Sequence, residues 1–189
     1  MRKAKMERKT KETDIKIDLN VDGKGDYDVN TGIKFFDHLL SSFAVHGKFD
    51  LRIKASGDDE HHVVEDVGIV LGQALKKSLS EREGIHRFGH AIVPMDDSLA
   101  MVAIDLSGRS YLVFNAKFSA ANIGDMSTEM MEHFLESFAS HAGININVRV
   151  EGGNDHHKGE ALFKALALAL NEATQRRKSA PSTKGMLYG

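Results

Sequence analysis

FFDHLLSSFAVHGKFDLRIKASGDDEHHVVEDVGIVLGQAL, residues 35–75, returns in altered form as MMEHFLESFASHAGININVRVEGGNDHHKGEALFKALALAL, residues 130–170. The offset is a constant 95 with no gap. Over residues 35–77 against 130–172, thirteen of the 43 pairs are identical. All four histidines of the first segment (His38, His46, His61, His62) fall on those of the second (His133, His141, His156, His157). Solenoid repeats run about 20–50 residues, so this longer period predicts a duplicated half-domain. The chain divides accordingly into a first half-domain over residues 1–90, a second over 91–175 and a C-terminal tail over 176–189.

Within each copy the hydrophobic period changes from helix to strand and back. Phe35, Phe36, Leu39, Leu40 and Phe43 stand at helical spacing, as do Met130, Met131, Phe134, Leu135 and Phe138. Beyond each helix, Phe49, Leu51, Ile53 and Ala55, and Ile144, Ile146, Val148 and Val150, alternate as a half-buried strand does. Gly57 and the Gly152–Gly153 pair end those strands, and Asp58, Asp59, Asn154 and Asp155 offer caps for second helices over roughly 61–79 and 156–173. Upstream, Ile15, Ile17 and Leu19 alternate in the first half, and AIVPM, LAMVAIDL and YLVFNA supply three strands in the second. Strands, helix, strand, helix, used twice, make an α+β, mostly antiparallel fold.

The composition narrows the function classes. The 189 residues hold 41% apolar and 28% charged residues, and their mean hydropathy is −0.30, all ordinary for a globular protein. With 25 Lys and Arg against 27 Asp and Glu, the net charge of −2 argues against a nonspecific grip on nucleic acid. No apolar run approaches membrane-spanning length, and the N-terminus MRKAKMERKTKE lacks a signal peptide's apolar core, so a cytoplasmic protein with no membrane partner is expected. The absence of cysteine excludes disulfides, thiolate metal sites and cysteine nucleophiles.

The ten histidines carry the chemistry. In the HHxxE of residues 61–65, His61 and Glu65 lie one above the other on a helix face while His62 points about a quarter-turn away. His156, His157 and Glu160 repeat the arrangement, and His38 and His133 add one imidazole from the first helix of each half. Six histidines and two glutamates near helix starts are poor core material, and they divide into two quartets for two metal ions. Under pseudo-twofold symmetry the sets that use no residue twice are His61, Glu65, His133, His157 and His156, Glu160, His38, His62. Spacing leaves open whether the helices meet within one chain or between chains. Three imidazoles and a carboxylate without sulfur suit Mn, Fe, Co or Zn. His46 and His141, about 12 Å along the helix from His38 and His133, are too far to share their ions and take a lining or capping role. His86 and His90 have no counterpart and read as surface histidines. Arg87 and Arg109, in the turn-like GIHRFG and LSGRSY, could fork onto phosphate oxygens, and Lys164, one turn beyond Glu160, could reach the site.

Taken together, DEHHVVEDVGIV, GGNDHHKGEALFK, FFDHLL, RFG, DLSGR and the terminal PSTKG resemble the imidazoleglycerol-phosphate dehydratase family of histidine biosynthesis, from about Glu12 to Lys184. The resemblance implies two Mn²⁺ ions per active site, tandem half-domains of a four-stranded sheet with two helices on one face, and a 24-subunit homo-oligomer whose sites form between subunits. It also implies substrate contacts at Glu12, Arg87, Arg109, Ser182 and Lys184. The chain departs from the family pattern at Ser42, where a glutamine is usual, at Ser110 and at Thr183, and its GDDEHH loop is shorter.

That family's reaction removes water from imidazoleglycerol phosphate to give imidazoleacetol phosphate. The proton to be lost lies beside a hydroxyl and no carbonyl is present to stabilise its loss, so the ring must supply the electrons. An imidazole bound through both nitrogens to divalent ions can ionise and expel the neighbouring hydroxyl. Glu12, Glu65 and Glu160 are the candidate acid–base groups, with Glu12 the one outside the ligand sets. Two rival readings use the same residues: a dinuclear metallohydrolase acting on a phosphoester, and a non-catalytic metal-binding protein, which would leave the arginines and the STKG tail unexplained.

Overall fold

The computed structural model describes residues 2–80 and 84–177. It is an α+β fold in which two four-stranded sheets enclose a layer of four helices. The first sheet consists of β1 (Lys3–Lys9), β2 (Thr13–Asn20), β3 (Tyr27–Asn30) and β4 (Asp50–Gly57), in the order β1-β2-β4-β3. The second consists of β5 (Phe88–Met95), β6 (Ser98–Asp105), β7 (Tyr111–Ala116) and β10 (Asn145–Glu151), in the order β5-β6-β10-β7. The orders match strand for strand, and in each sheet the last pair alone is parallel. A small hairpin, β8 (Asn122–Ile123) and β9 (Met126–Ser127), lies between β7 and the third helix.

The helices are α1 (Lys34–Gly47), α2 (Glu60–Leu79), α3 (Met130–Ala142) and α4 (Asp155–Thr174). α1 and α2 cover one face of the first sheet, and α3 and α4 cover one face of the second. Across the middle, α2 packs on α3 and α1 on α4, so each helix pair at the centre joins the two halves. Phe36 of α1 meets Phe134 of α3 edge-on with ring centroids 5.3 Å apart, and Phe134 stacks on Phe163 of α4 at 5.5 Å. Where α2 crosses α3 two glycines make room. A Cβ on Gly68 would lie 2.9 Å from the Phe134 carbonyl oxygen, and one on Gly72 would lie 2.7 Å from that of Phe138.

Four strands were not legible in the sequence, two of them the two-residue β8 and β9. β1 is an edge strand whose only apolar inward residues are Ala4 and Met6, with Arg8 of the same face bonded to Asp66 of α2, and the lysines and arginines around them discourage edge-to-edge pairing. β3 is four residues long and shows too little alternation to read.

The two halves end α1 and α3 alike. The residue after each helix, Lys48 (φ 55°) or Gly143 (φ 65°), turns left-handed and returns its N–H to the last turn.

Candidate metal centres

The eight candidate metal ligands all sit in the first two turns of helices, and hydrogen bonds at three of those starts fix where they point. Asp59 accepts from the His61 N–H, and Asn154 accepts from those of His156 and His157. α1 has no cap of its own, so Asp125, from the β8–β9 hairpin of the other half, accepts from the Lys34 and Phe35 N–H groups at 2.8 and 2.9 Å. The segment leading through that hairpin is also tied to the starts of α2 and α4: Ser127 N–H donates to Glu60 at 2.8 Å, and Ser119 and Ala120 N–H donate to Asp155 at 2.8 and 2.7 Å. The positive ends of four helix dipoles favour neutral imidazoles with free lone pairs and attract anions.

Two clusters result, each drawing on both halves. In the first, His38 of α1 and His156 of α4 bring their Nε2 atoms to 3.0 and 2.9 Å from the same oxygen, Oε1 of Glu160. One ligand atom from each of these three residues lies within 4.8 Å of the others. The second oxygen of Glu160 accepts from Lys164 at 2.8 Å. Burial pushes this carboxyl up, but hydrogen bonds from Lys164, His38 and His156 outweigh it and hold the pKa at about 2. The second cluster, on α2 and α3, is looser and more exposed. His61 Nε2 stands 3.9 Å from Glu65, and the His61 and His133 rings are 4.8 Å apart between centroids.

His62 and His157 turn away from these clusters. The rings of His61 and His62 lie 6.2 Å apart at 84°, and those of His156 and His157 lie 6.3 Å apart at 88°. His62 Nδ1 is 2.9 Å from Asp58, and His157 Nδ1 is 2.9 Å from Asp97. Hydrogen bonding to Asp58, reinforced by the charge of Glu12, raises the His62 pKa. The structure thus brings His38, His156 and Glu160 within ligand-sharing distance, sets His61 near Glu65 and His133, and pairs His62 and His157 with carboxylates outside both groups.

Glu12 lies in the β1–β2 turn, exposed, with its carbonyl accepting from Asp58 N–H at 3.1 Å, which places it at the His62 end of the first sheet. Arg87 and Arg109 lie elsewhere. Arg87 forks onto Asp105 at 2.7 and 3.2 Å, at the last residue of β6, whereas His157 is bonded beside the first residue of that strand. Seven steps of about 3.3 Å put roughly 23 Å of strand between them. Arg109 is exposed at the same far end, where its carbonyl accepts from Asn145 at 2.7 Å. Ser182 and Lys184 fall outside the described residues.

His46 is pushed down by burial and by the nearby Lys164. His141 bonds the Ser137 carbonyl one turn back at 2.9 Å. His90 lies exposed, 3.5 Å from Glu172. Sequence reasoning singled out Asp58 only as a cap and missed Asp97 altogether. A carboxylate four residues before a histidine was a usable signal, whereas Asp97 is 60 residues from its partner and leaves none.

The family model of imidazoleglycerol-phosphate dehydratase matches residues 31–170. The imidazoleglycerol-phosphate dehydratase of Methanocella arvoryzae is 56% identical over 192 residues, covering 99% of this chain and 100% of that protein. That of Methanosarcina mazei is 56% identical over 191 residues, with the same coverage. Among solved structures, the dehydratase of Pyrococcus furiosus superposes with a TM-score of 0.85 at 37% identity, covering 96% of this chain and 99% of that one. The Staphylococcus aureus enzyme gives a TM-score of 0.84 at 35% identity, covering 92% and 99%.

Proposed function

The chain belongs to the imidazoleglycerol-phosphate dehydratase family, a lyase of histidine biosynthesis, and on that premise we propose that two divalent ions, Mn²⁺ by preference, and residues from neighbouring copies build its active site. The observation that carries this reading is the convergence of His38, His156 and Glu160 from two halves of the chain. Two imidazole nitrogens and a buried carboxylate, with no sulfur, are a donor set that suits a borderline-hard ion. His38, His156 and Glu160 would hold one ion, and His61, Glu65 and His133 the other. His62 and His157, turned outward, would complete the sets of neighbouring copies. When bound, the ions supply Lewis acidity that polarises the substrate ring.

The remaining work falls to the chain. The reaction takes a hydroxyl from the carbon beside the ring and a hydrogen from the next carbon, so one group must accept a proton and another must protonate the departing oxygen. Glu12, exposed beside His62 and outside both clusters, is the proposed proton carrier. Arg109, Arg87 and the tail residues Ser182 and Lys184 would hold the phosphate. Arg87 and Arg109 stand a strand length from the α4 histidines of their own chain, so they would serve a site on another copy.

An assembly is supported further by the outer face of the second sheet, where Phe88, Ile92, Leu99, Met101 and Tyr111 are exposed. The first sheet's outer face instead carries the row Lys5, Asp18, Arg52 and Asp28 across its four strands. We propose a homo-oligomer, of 24 subunits by the family resemblance, working in the cytoplasm. Among the described residues no helix is long and apolar enough to cross a membrane.

The test is incubation with imidazoleglycerol phosphate and Mn²⁺, following ketone formation by absorbance. Metal-dependent appearance of the ketone is expected. Phosphate release without ketone would overturn the proposal in favour of a metallohydrolase.

A further inference from the structure

The carboxylates behind His62 and His157 perform one task with residues that the duplication does not relate. At the offset of 95, Asp58 overlies Gly153, so the second half has no carboxylate where the first has its own. It takes one from the β5–β6 turn instead: Asp97 Oδ1 lies 2.9 Å from His157 Nδ1. In the first half Asp58 Oδ1 lies at the same 2.9 Å from His62 Nδ1. Two unrelated sources for one contact indicate that the contact itself, more than the loop that bears it, is what both halves require.

A carboxylate can only accept, so Nδ1 carries the proton, and in the neutral ring Nε2 keeps its lone pair. We propose that Asp58 and Asp97 are positioning residues that fix the tautomer and ring orientation of His62 and His157, presenting Nε2 as a metal ligand. This rests on the metal reading given above. Asp97 also accepts through its other oxygen from the Gly153 and Asn154 N–H groups at 2.9 and 2.8 Å, which staples the loop before α4. On the open side of His157, the exposed Asp96 carboxylate is 3.5 Å from Nε2 and is free to turn into solvent.

Asparagine separates the two roles of Asp97. Its amide oxygen can keep the staple while its NH₂ donates to Nδ1, forcing the proton onto Nε2 and removing the ligand lone pair, as an Asp-to-Asn change does to a catalytic histidine elsewhere. The full-length protein, stripped with chelator, is titrated calorimetrically with Mn²⁺, and its metal-free melting temperature is recorded. Asp58→Asn and Asp97→Asn should each weaken one of the two ions about 10- to 100-fold and leave the melting temperature unchanged. His62→Ala and His157→Ala are the controls. If they weaken Mn²⁺ binding and the asparagine variants do not, the positioning role is wrong and the metal reading stands. If the histidine variants bind normally, the metal reading itself fails. Should Asp97→Asn lower the melting temperature, Asp58→Asn, on an exposed loop, decides.

Discussion

His38 and Glu160 belong to different copies of the duplicated unit, yet Nε2 of the one lies 3.0 Å from Oε1 of the other. Neither half can build this cluster alone. The central helix layer exists to make the exchange: α1 of the first half lies on α4 of the second and α2 on α3, so each cluster takes one histidine from one copy and a histidine–glutamate pair from the other.

Because metal ligands would come from neighbouring copies, the ions should act in assembly as well as catalysis. Exhaustive chelation, with metal content verified near zero, should abolish ketone formation and lower the sedimentation coefficient, and Mn²⁺ should restore both. Full activity after chelation would contradict this.

Sites shared between copies should also complement. With Arg109 holding the phosphate as proposed, Arg109→Ala should raise KM about 10- to 100-fold, at about 1.5–3 kcal/mol for a hydrogen bond to a charged group. His156→Ala should lose activity through the metal. Co-assembling the two impaired variants from metal-free protein should create some intact sites and recover a fraction of wild-type activity at substrate concentrations below the KM of the Arg109 variant. No recovery at any mixing ratio would place both residues in the same copy's site.

The repeat predicts a stabilising change far from the site. Lys48 closes α1 in a left-handed conformation (φ 55°) that costs a side-chain-bearing residue about 1 kcal/mol, and the second half has Gly143 there. Lys48→Gly should stabilise the protein by roughly 0.5–1 kcal/mol, read as an upward shift in denaturant midpoint with unchanged activity.

Much of the architecture was legible because duplication printed it twice: His38, His61, His62 and Glu65 gained their meaning from His133, His156, His157 and Glu160. The edge strand over Lys3–Lys9 was not legible, since edge protection replaces apolar alternation with charge. The pairing of His157 with Asp97 was hidden as well, because a contact made through tertiary folding leaves no spacing to read. Nor could spacing show that Arg87 and Arg109 stand a strand length from the α4 histidines. That follows from β6 running away from them.

Acid should loosen one inter-half clamp early. Arg2 forks onto Asp22 at 2.6 Å and also donates to the Thr174 carbonyl, joining β1 to the end of α4. The hydrogen bond from Arg2 is the main cause holding Asp22 at about 2, below the ordinary 3.8. A lowered folded-state pKa means the contribution is complete above about pH 4 and lost as the pH falls towards 2. Asp22→Asn should therefore cost about 1–2 kcal/mol at pH 7, with the difference from wild type shrinking below pH 4 in denaturant titrations.

Anomalous scattering at the manganese edge from crystals of the Mn²⁺-loaded protein tests the central claim most directly. The account predicts two peaks per chain, one among His38, His156 and Glu160 and one among His61, Glu65 and His133, each completed by His62 or His157 of a neighbouring copy. A single peak, or one ion bound by His61, His62 and Glu65 together, would contradict it.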